Sequence, residues 1–180
     1  IPTPTTNSTV ELAAIKLLNE NRSQCGFGSL TANQNLNLTA MNHASYMASV
    51  TETNKQPFAS HEERVETGLL DTGITNPYYS GIDLAIRLNP STLGKNAVST
   101  HYASQAEGEN ISLSNFSTKD SSYTVNDTAT VEAMLYNLFA APYHLRSLVY
   151  PQFTEVGLSY QLVKWTANNE INHTSLLEIV

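Results

Sequence analysis

Helical periodicity fills the front of this chain and strand-like alternation gathers near its end, which excludes a regular βαβ array with its parallel sheet. Residues 9–21, TVELAAIKLLNEN, place Val10, Ala13, Ala14, Leu17 and Leu18 at helical spacing behind a Ser8/Thr9 cap. CGFGSLTAN breaks that pattern with two glycines. A second helix follows over about 35–50, where Leu36, Ala40, Ala44, Met47 and Ala48 form one stripe with His43 beside it. A third runs through NDTATVEAMLYNLFA, capped by Asn126 or Thr128, with Val131, Met134, Leu135 and Leu138 as its buried stripe and Pro142 as its stop. FTEVGLSYQLVKW alternates as a strand, with Val156, Leu158, Tyr160 and Leu162 on one face, and TSLLEIV reads as a last strand. GENISLS fits a short strand or an extended edge, and GIDLAIRL a short helix. The pattern predicts an α+β fold with helices packed on a small sheet. Residues 62–105 are poor in regular structure, as functional loops and insertions are.

A length of 180 residues allows one domain with a sizeable core. Residues 1–7, rich in Pro and Thr, read as a linker or post-signal segment, and 8–180 as the domain. The abrupt stop of the last strand at Val180 suggests a longer parent protein. Nine Lys and Arg stand against 16 Asp and Glu, for a net charge of −7. With no basic run, the chain offers nothing to a phosphate backbone or an anionic membrane surface, so a nucleic-acid partner is excluded. No stretch approaches the roughly 18–20 apolar residues of a membrane span. Low charge and abundant Ser, Thr, Asn and Tyr suit an exported protein. Cys25 is the single cysteine. No internal disulfide can form, so export would be of the bacterial, disulfide-free kind.

Five histidines are present: His43, His61, His101, His144 and His173. HEERV at 61–65 opens like a zinc-protease helix, but Val65 stands where the second imidazole would have to be. No phosphate-binding glycine loop and no Gly-x-Ser-x-Gly elbow occurs. Three polar clusters remain: ASHEE at 59–63, EGEN at 107–110 and APYHLR at 141–146. An imidazole needs a second group to set its tautomer, and a carboxylate does this well. Two imidazoles and a carboxylate can also hold a divalent metal with open positions. Spacing alone leaves open whether these clusters meet.

The same boxes carry a resemblance. ELAAIKLLNENRSQCGFGSLTANQNLNLTAMNHASYMAS, PFASH, NPYYSGIDLAIRL, GENIS and PYHLRSLVYPQFTEVGLSY, in that order, resemble the CAP superfamily (cysteine-rich secretory, antigen 5 and pathogenesis-related-1 proteins) in its bacterial SCP-like extracellular form. Tyr143 replaces the Gly usual before the histidine, and Leu138 stands where many members carry Trp. The resemblance implies an α-β-α sandwich, with a small, mostly antiparallel central sheet between helical layers. It also implies an open cleft bearing two histidines and two acids. Carried over by motif, His61 and His144 are the imidazoles and Glu109 is one carboxylate, and these three are the candidates both for cleft chemistry and for holding a metal. Ala141 stands where the second acid would be; Glu132 and Glu62 are its stand-ins. Glu107 becomes a solvated neighbour, Asn110 fixes the local turn by side-chain to backbone bonds, and Arg146 pairs with Glu155.

The implied function is a secreted or surface-anchored bacterial binding module. Its cleft would hold a divalent metal such as Zn²⁺ or Mg²⁺, and its ligand would be an extracellular lipid, peptide or cell-wall component. No motif requires a cofactor. One alternative is a metal-assisted or His/Glu-dependent hydrolase, with Ser60 as the conceivable nucleophile; another is a structural surface domain with a relic cleft.

Overall fold

The computed structural model describes residues 8–63, 76–88 and 107–180. Helix α1 (Thr9–Gln24) starts at a capping box: Glu11 N–H donates to Ser8 Oγ at 3.3 Å, and Ser8 N–H donates back to the Glu11 carboxylate at 2.7 Å. A two-residue strand β1 (Thr31–Ala32) leads into α2 (Gln34–Asn54), capped by Asn33 and closed by Lys55 in the left-handed region at φ 52°. The short helix α3 (Leu84–Arg87) is capped by Asp83, whose carboxylate accepts from Ile86 N–H. Strand β2 (Asn110–Thr118), helices α4 (Asp127–Ala140) and α5 (Pro142–Leu148), and strands β3 (Glu155–Val156), β4 (Leu158–Ala167) and β5 (Glu170–Ile179) complete the order.

Strands β2, β5 and β4 form an antiparallel sheet with β5 in the middle; β1 and β3 make a separate parallel pair. Successive side chains of β5 point to opposite faces, and both faces are covered. Leu177 and Ile179 join Leu158, Ala14, Leu18, Met134 and Leu135 under α1 and α4. Leu176 joins Val163, Trp165, Tyr46, Met47 and Val50 under α2. A sheet between two helical layers is the α-β-α arrangement the resemblance implies. With both faces covered, β5 is buried almost throughout, which explains why TSLLEIV shows little alternation.

Several boundaries differ from the sequence expectation. Pro142 does end α4, but it also opens α5, because a first-turn proline loses no helical hydrogen bond. The strand expected through 153–165 is interrupted at Gly157. A Cβ there would lie 2.0 Å from the backbone of Leu36, so α2 starts against this point and only glycine fits. Val156 consequently pairs with Ala32 in β3, apart from β4. GENISLS grows into a nine-residue edge strand. His43, expected beside the stripe of α2, is fully buried within it. Of the irregular 62–105 stretch, residues 64–75 and 89–105 lie outside the described residues.

A buried cation ties α1 to α5. Arg22, fully buried at the end of α1, donates Nε to Gly28 O at 2.8 Å and Nη1 to Leu148 O at 2.7 Å. Its remaining donors reach Tyr150 O and Phe153 O at 3.3 Å. It thereby fastens α1 to the end of α5 and to the turn that follows.

Candidate functional site

His61 lies on the extended segment after α2, with its side chain 56% exposed, and its Nδ1 is 2.7 Å from Glu109 Oε2. Glu109 immediately precedes β2 and is nearly buried. Its other oxygen, Oε1, accepts from Nη2 of the fully buried Arg87, at the end of α3. Arg87 Nη1 also donates to His61 O at 3.2 Å and Gly81 O at 3.5 Å. Burial would raise the Glu109 carboxyl, but the His61 hydrogen bond and the charges of Arg87 and His43 outweigh it and bring its pKa to about 2. A carboxylate can only accept, so His61 Nδ1 carries the hydrogen. In the neutral ring the lone pair is then on Nε2.

His144, on α5, meets the next residue along. Its Nδ1 is 3.2 Å from Asn110 Oδ1, while Asn110 Nδ2 donates to Ser147 Oγ at 3.1 Å. The amide nitrogen is thus engaged as donor, so Oδ1 is the acceptor and His144 Nδ1 donates. The two imidazoles are therefore held in the same way by successive residues at the head of β2. Successive residues of an extended chain point to opposite sides, so Glu109 turns toward α3 and Asn110 toward α5. Gly108 lets this segment lie close to α5: a Cβ there would be 2.6 Å from Ser147 Oγ and 3.0 Å from the Phe153 ring. Asn110 accordingly bridges to α5, which corrects its expected role as a local turn-former.

Behind Glu109 is a buried polar knot. Glu178 of β5, opposite Ile111 and Ser159, is fully buried, and among the described residues neither of its oxygens meets a hydrogen-bond donor. Burial first, and then the Glu109 charge, push its carboxyl well above the usual range, with Arg87 opposing them in part. Both effects favour the protonated form of Glu178 in the fold. A carboxyl with a raised folded pKa binds more protons folded than unfolded above the model value of 4.5. Its contribution to stability is present below that value and is lost as pH rises. Glu178→Gln, which needs no proton, is expected to gain in melting temperature relative to wild type as pH is raised from 5 to 8, in ~1 unit steps; a constant difference across the series would contradict a protonated Glu178.

His43, Glu109 and Glu178 offer ligand atoms within 4.8 Å of one another, a grouping that could hold a metal. Both His43 nitrogens are engaged, however, with Nδ1 2.8 Å from Glu63 Oε1 and Nε2 2.8 Å from Ser60 O.

The sequence candidates divide accordingly. His61 and Glu109 come together directly, and His144 joins the head of β2 through Asn110. Glu62 and Glu132 are both exposed, the latter on α4. Glu107 is exposed, its carboxyl raised by partial burial and by Asp83 and Glu109, against Arg87. Ser60 Oγ accepts from Glu62 N–H at 3.0 Å, in a local turn. Glu155 accepts from Asn33 Nδ2 at 2.8 Å. Cys25 is exposed at the end of α1. His173 stacks on Phe116 at 4.8 Å, where burial and Lys164 lower its pKa. His101 lies outside the described residues. Arg87 and Glu178 are not singled out by the sequence, and Glu63 and His43 are named there only as part of the ASHEE cluster and as one of five histidines. Glu178 was the legible one of these, as a single acid in the apolar run LLEI.

Two concavities adjoin α5, the first of them also Asn110. A cavity of about 90 Å³ is walled by Leu18, Leu30, Leu36, Leu148 and Ile179. An open groove of about 290 Å³ lies between Glu107 and the Tyr143, Arg146 and Tyr150 side chains. Glu107, Ser147 and Phe153 line both.

The sequence profile of the cysteine-rich secretory protein family, CAP, matches residues 15–166. The chain belongs to the CAP family. No curated protein matches this CAP domain significantly in sequence. Among solved structures, it is similar to an outer surface protein from Borrelia burgdorferi, with 10% identity over 99% of this chain and 98% of the other, at a TM-score of 0.47. Among the described residues, no helix of the CAP domain is long and apolar enough to cross a membrane.

Proposed function

We propose that residues 8–180 form one extracellular CAP-domain binding module whose cleft holds a divalent cation on Nε2 of His61 and Nε2 of His144. Glu109 and Asn110 act in it as the orienting groups. One observation supports this reading above the rest: each imidazole is tied through Nδ1, which leaves Nε2 as the basic nitrogen in both. Acceptor groups on the far nitrogen of a metal-bound imidazole fix its tautomer and raise its basicity in this manner. An imidazole pair suits Zn²⁺ better than Mg²⁺, which prefers oxygen ligands. A bound cation would supply open coordination positions for a polar group of the ligand, and the groove beside α5 would take the rest of a lipid, peptide or cell-wall component. Placement outside the cell, surface-anchored or free, is supported by the low charge and by the lack of any basic run that would suit intracellular polyanions. Residues 1–7 would then be a linker.

The hydrolase reading has one feature in its favour, an exposed imidazole oriented by a buried carboxylate, as in base-assisted catalysis. Against it, Ser60 is turned into its own local turn.

Calorimetric titration with Zn²⁺ tests the proposal. Wild type should bind one equivalent, His61→Ala and His144→Ala should each lose binding, and Asn110→Ala should weaken it by about 10-fold. Unchanged binding in both histidine variants would reject it.

A further inference from the structure

Glu63 is fully buried two residues from His61 and takes no part in the cleft, yet donors converge on it from two directions. Its carboxylate accepts from Ser80 N–H at 2.5 Å, Ser80 Oγ–H at 2.8 Å and Gly81 N–H at 3.3 Å. Its Oε1 also lies 2.8 Å from His43 Nδ1 on α2. The backbone adds a further tie, Glu63 N–H to Ile82 O at 3.0 Å. These contacts complete a closed circuit. His61 bonds Glu109, Glu109 bonds Arg87, and Arg87 bonds Gly81 O and His61 O. Gly81 N–H in turn bonds Glu63, which leads back along the chain to His61. His43 pins the circuit to α2 at two points, Glu63 and Ser60 O.

We infer that Glu63 is a positioning residue for the cleft, holding the His61 segment and the Arg87 segment in the register that lets Glu109 select the His61 tautomer. The circuit has few alternatives. Without the Glu63 charge, Ser80 N–H and Gly81 N–H lose their strongest acceptor, and a buried donor without an acceptor forces the segment to shift. The 80–87 segment carries Arg87, so its displacement releases Glu109 from one side. Movement of 60–63 releases it from the other. The imidazole then returns toward the Nε2–H form that histidine prefers in water, and the nitrogen offered to the cleft is no longer basic.

The inference rests on His61 being a cleft imidazole, but its test needs no metal. Nitrogen-15 correlation spectra at a pH where the imidazole is neutral read the His61 tautomer directly. Wild type should be almost wholly Nδ1–H, and Glu63→Gln should show a mixture. Ser80→Ala, which removes one donor and keeps the backbone one, should shift the population the same way by less, and it serves alone if Glu63→Gln does not fold. Leu135→Ala, in the core between α1 and α4, controls for lost stability: its melting temperature should fall while the tautomer stays as in wild type. A wild-type tautomer in every folded Glu63 and Ser80 variant overturns the inference, as does an equal shift in Leu135→Ala. A wild-type His61 that is not Nδ1–H overturns both this inference and the reading of the cleft, whereas a normal tautomer with no Zn²⁺ binding overturns only the cation site.

Discussion

Glu109→Gln is expected to destabilise the protein by about 3–5 kcal/mol, because it leaves the Arg87 guanidinium fully buried without its carboxylate. The neutral amide keeps the volume and one acceptor, so the loss reports charge and not packing. Glu109 has a folded pKa of about 2 against an ordinary 4.5. A depressed carboxyl contributes stability above its unfolded pKa and loses it as pH falls through the folded one. A shift of this size corresponds to about 3 kcal/mol. The gap between wild type and Glu109→Gln, read by urea denaturation, should therefore be full at neutral pH and narrow progressively below 4.5 toward 2. A gap that persists unchanged into acid would mean that the amide is failing for steric reasons.

Arg22→Met should be damaging too, at about 1–3 kcal/mol. The substitution preserves much of the apolar stem but takes the guanidinium donors from the carbonyls of Gly28, Leu148, Tyr150 and Phe153, of which the Leu148 bond is buried and the others are part-buried. Buried carbonyls without donors cost about 1–3 kcal/mol each when nothing replaces the donor, and some relaxation at the 150–153 turn will recover part of the sum. Arg22→Lys should regain only a fraction, since one ammonium cannot span acceptors that a planar fork reaches on several sides. The loss is a large share of the stability of an ordinary domain. Because α5 carries His144, proteolysis near 148–153 should accelerate in the same variants, and equal cleavage rates would show that Arg22 does not hold this turn.

The helical layers are legible because each rests on a long periodic segment, the stripe of α2 and the Val131–Leu138 face of α4, whereas β4, covered on both faces, alternates in burial only over 163–166. The errors fall where a tertiary contact overrides the local pattern. Nothing local to FTEVGLSY reveals that Gly157 lies against the start of α2, so one strand was expected where two occur. Pro142 was visible as a stop, but its second use as the first residue of α5 needed the neighbouring helix.

The site shows the same division. His61, Glu109 and His144 are legible as candidates because they sit in boxes that resemble those of the CAP family. Their supports were not, since Arg87 and Glu63 are a charged residue in a short amphipathic helix and the second of two adjacent acids. Solvated charges look alike in sequence, and only burial separates them. Ala141 stands where the second cleft acid would be, and its stand-ins Glu62 and Glu132 are both exposed; the carboxyl that comes next to Glu109 is Glu178, arriving from the last strand.

The most direct measurement of the central claim is an anomalous-difference map from crystals of the wild-type protein grown with Zn²⁺. The account predicts one strong peak bonded to Nε2 of His61 and Nε2 of His144, with Glu109 and Asn110 still on the Nδ1 atoms behind them. A peak on Nδ1 of either ring, a peak confined to the His43, Glu109 and Glu178 knot, or no peak at all would contradict it.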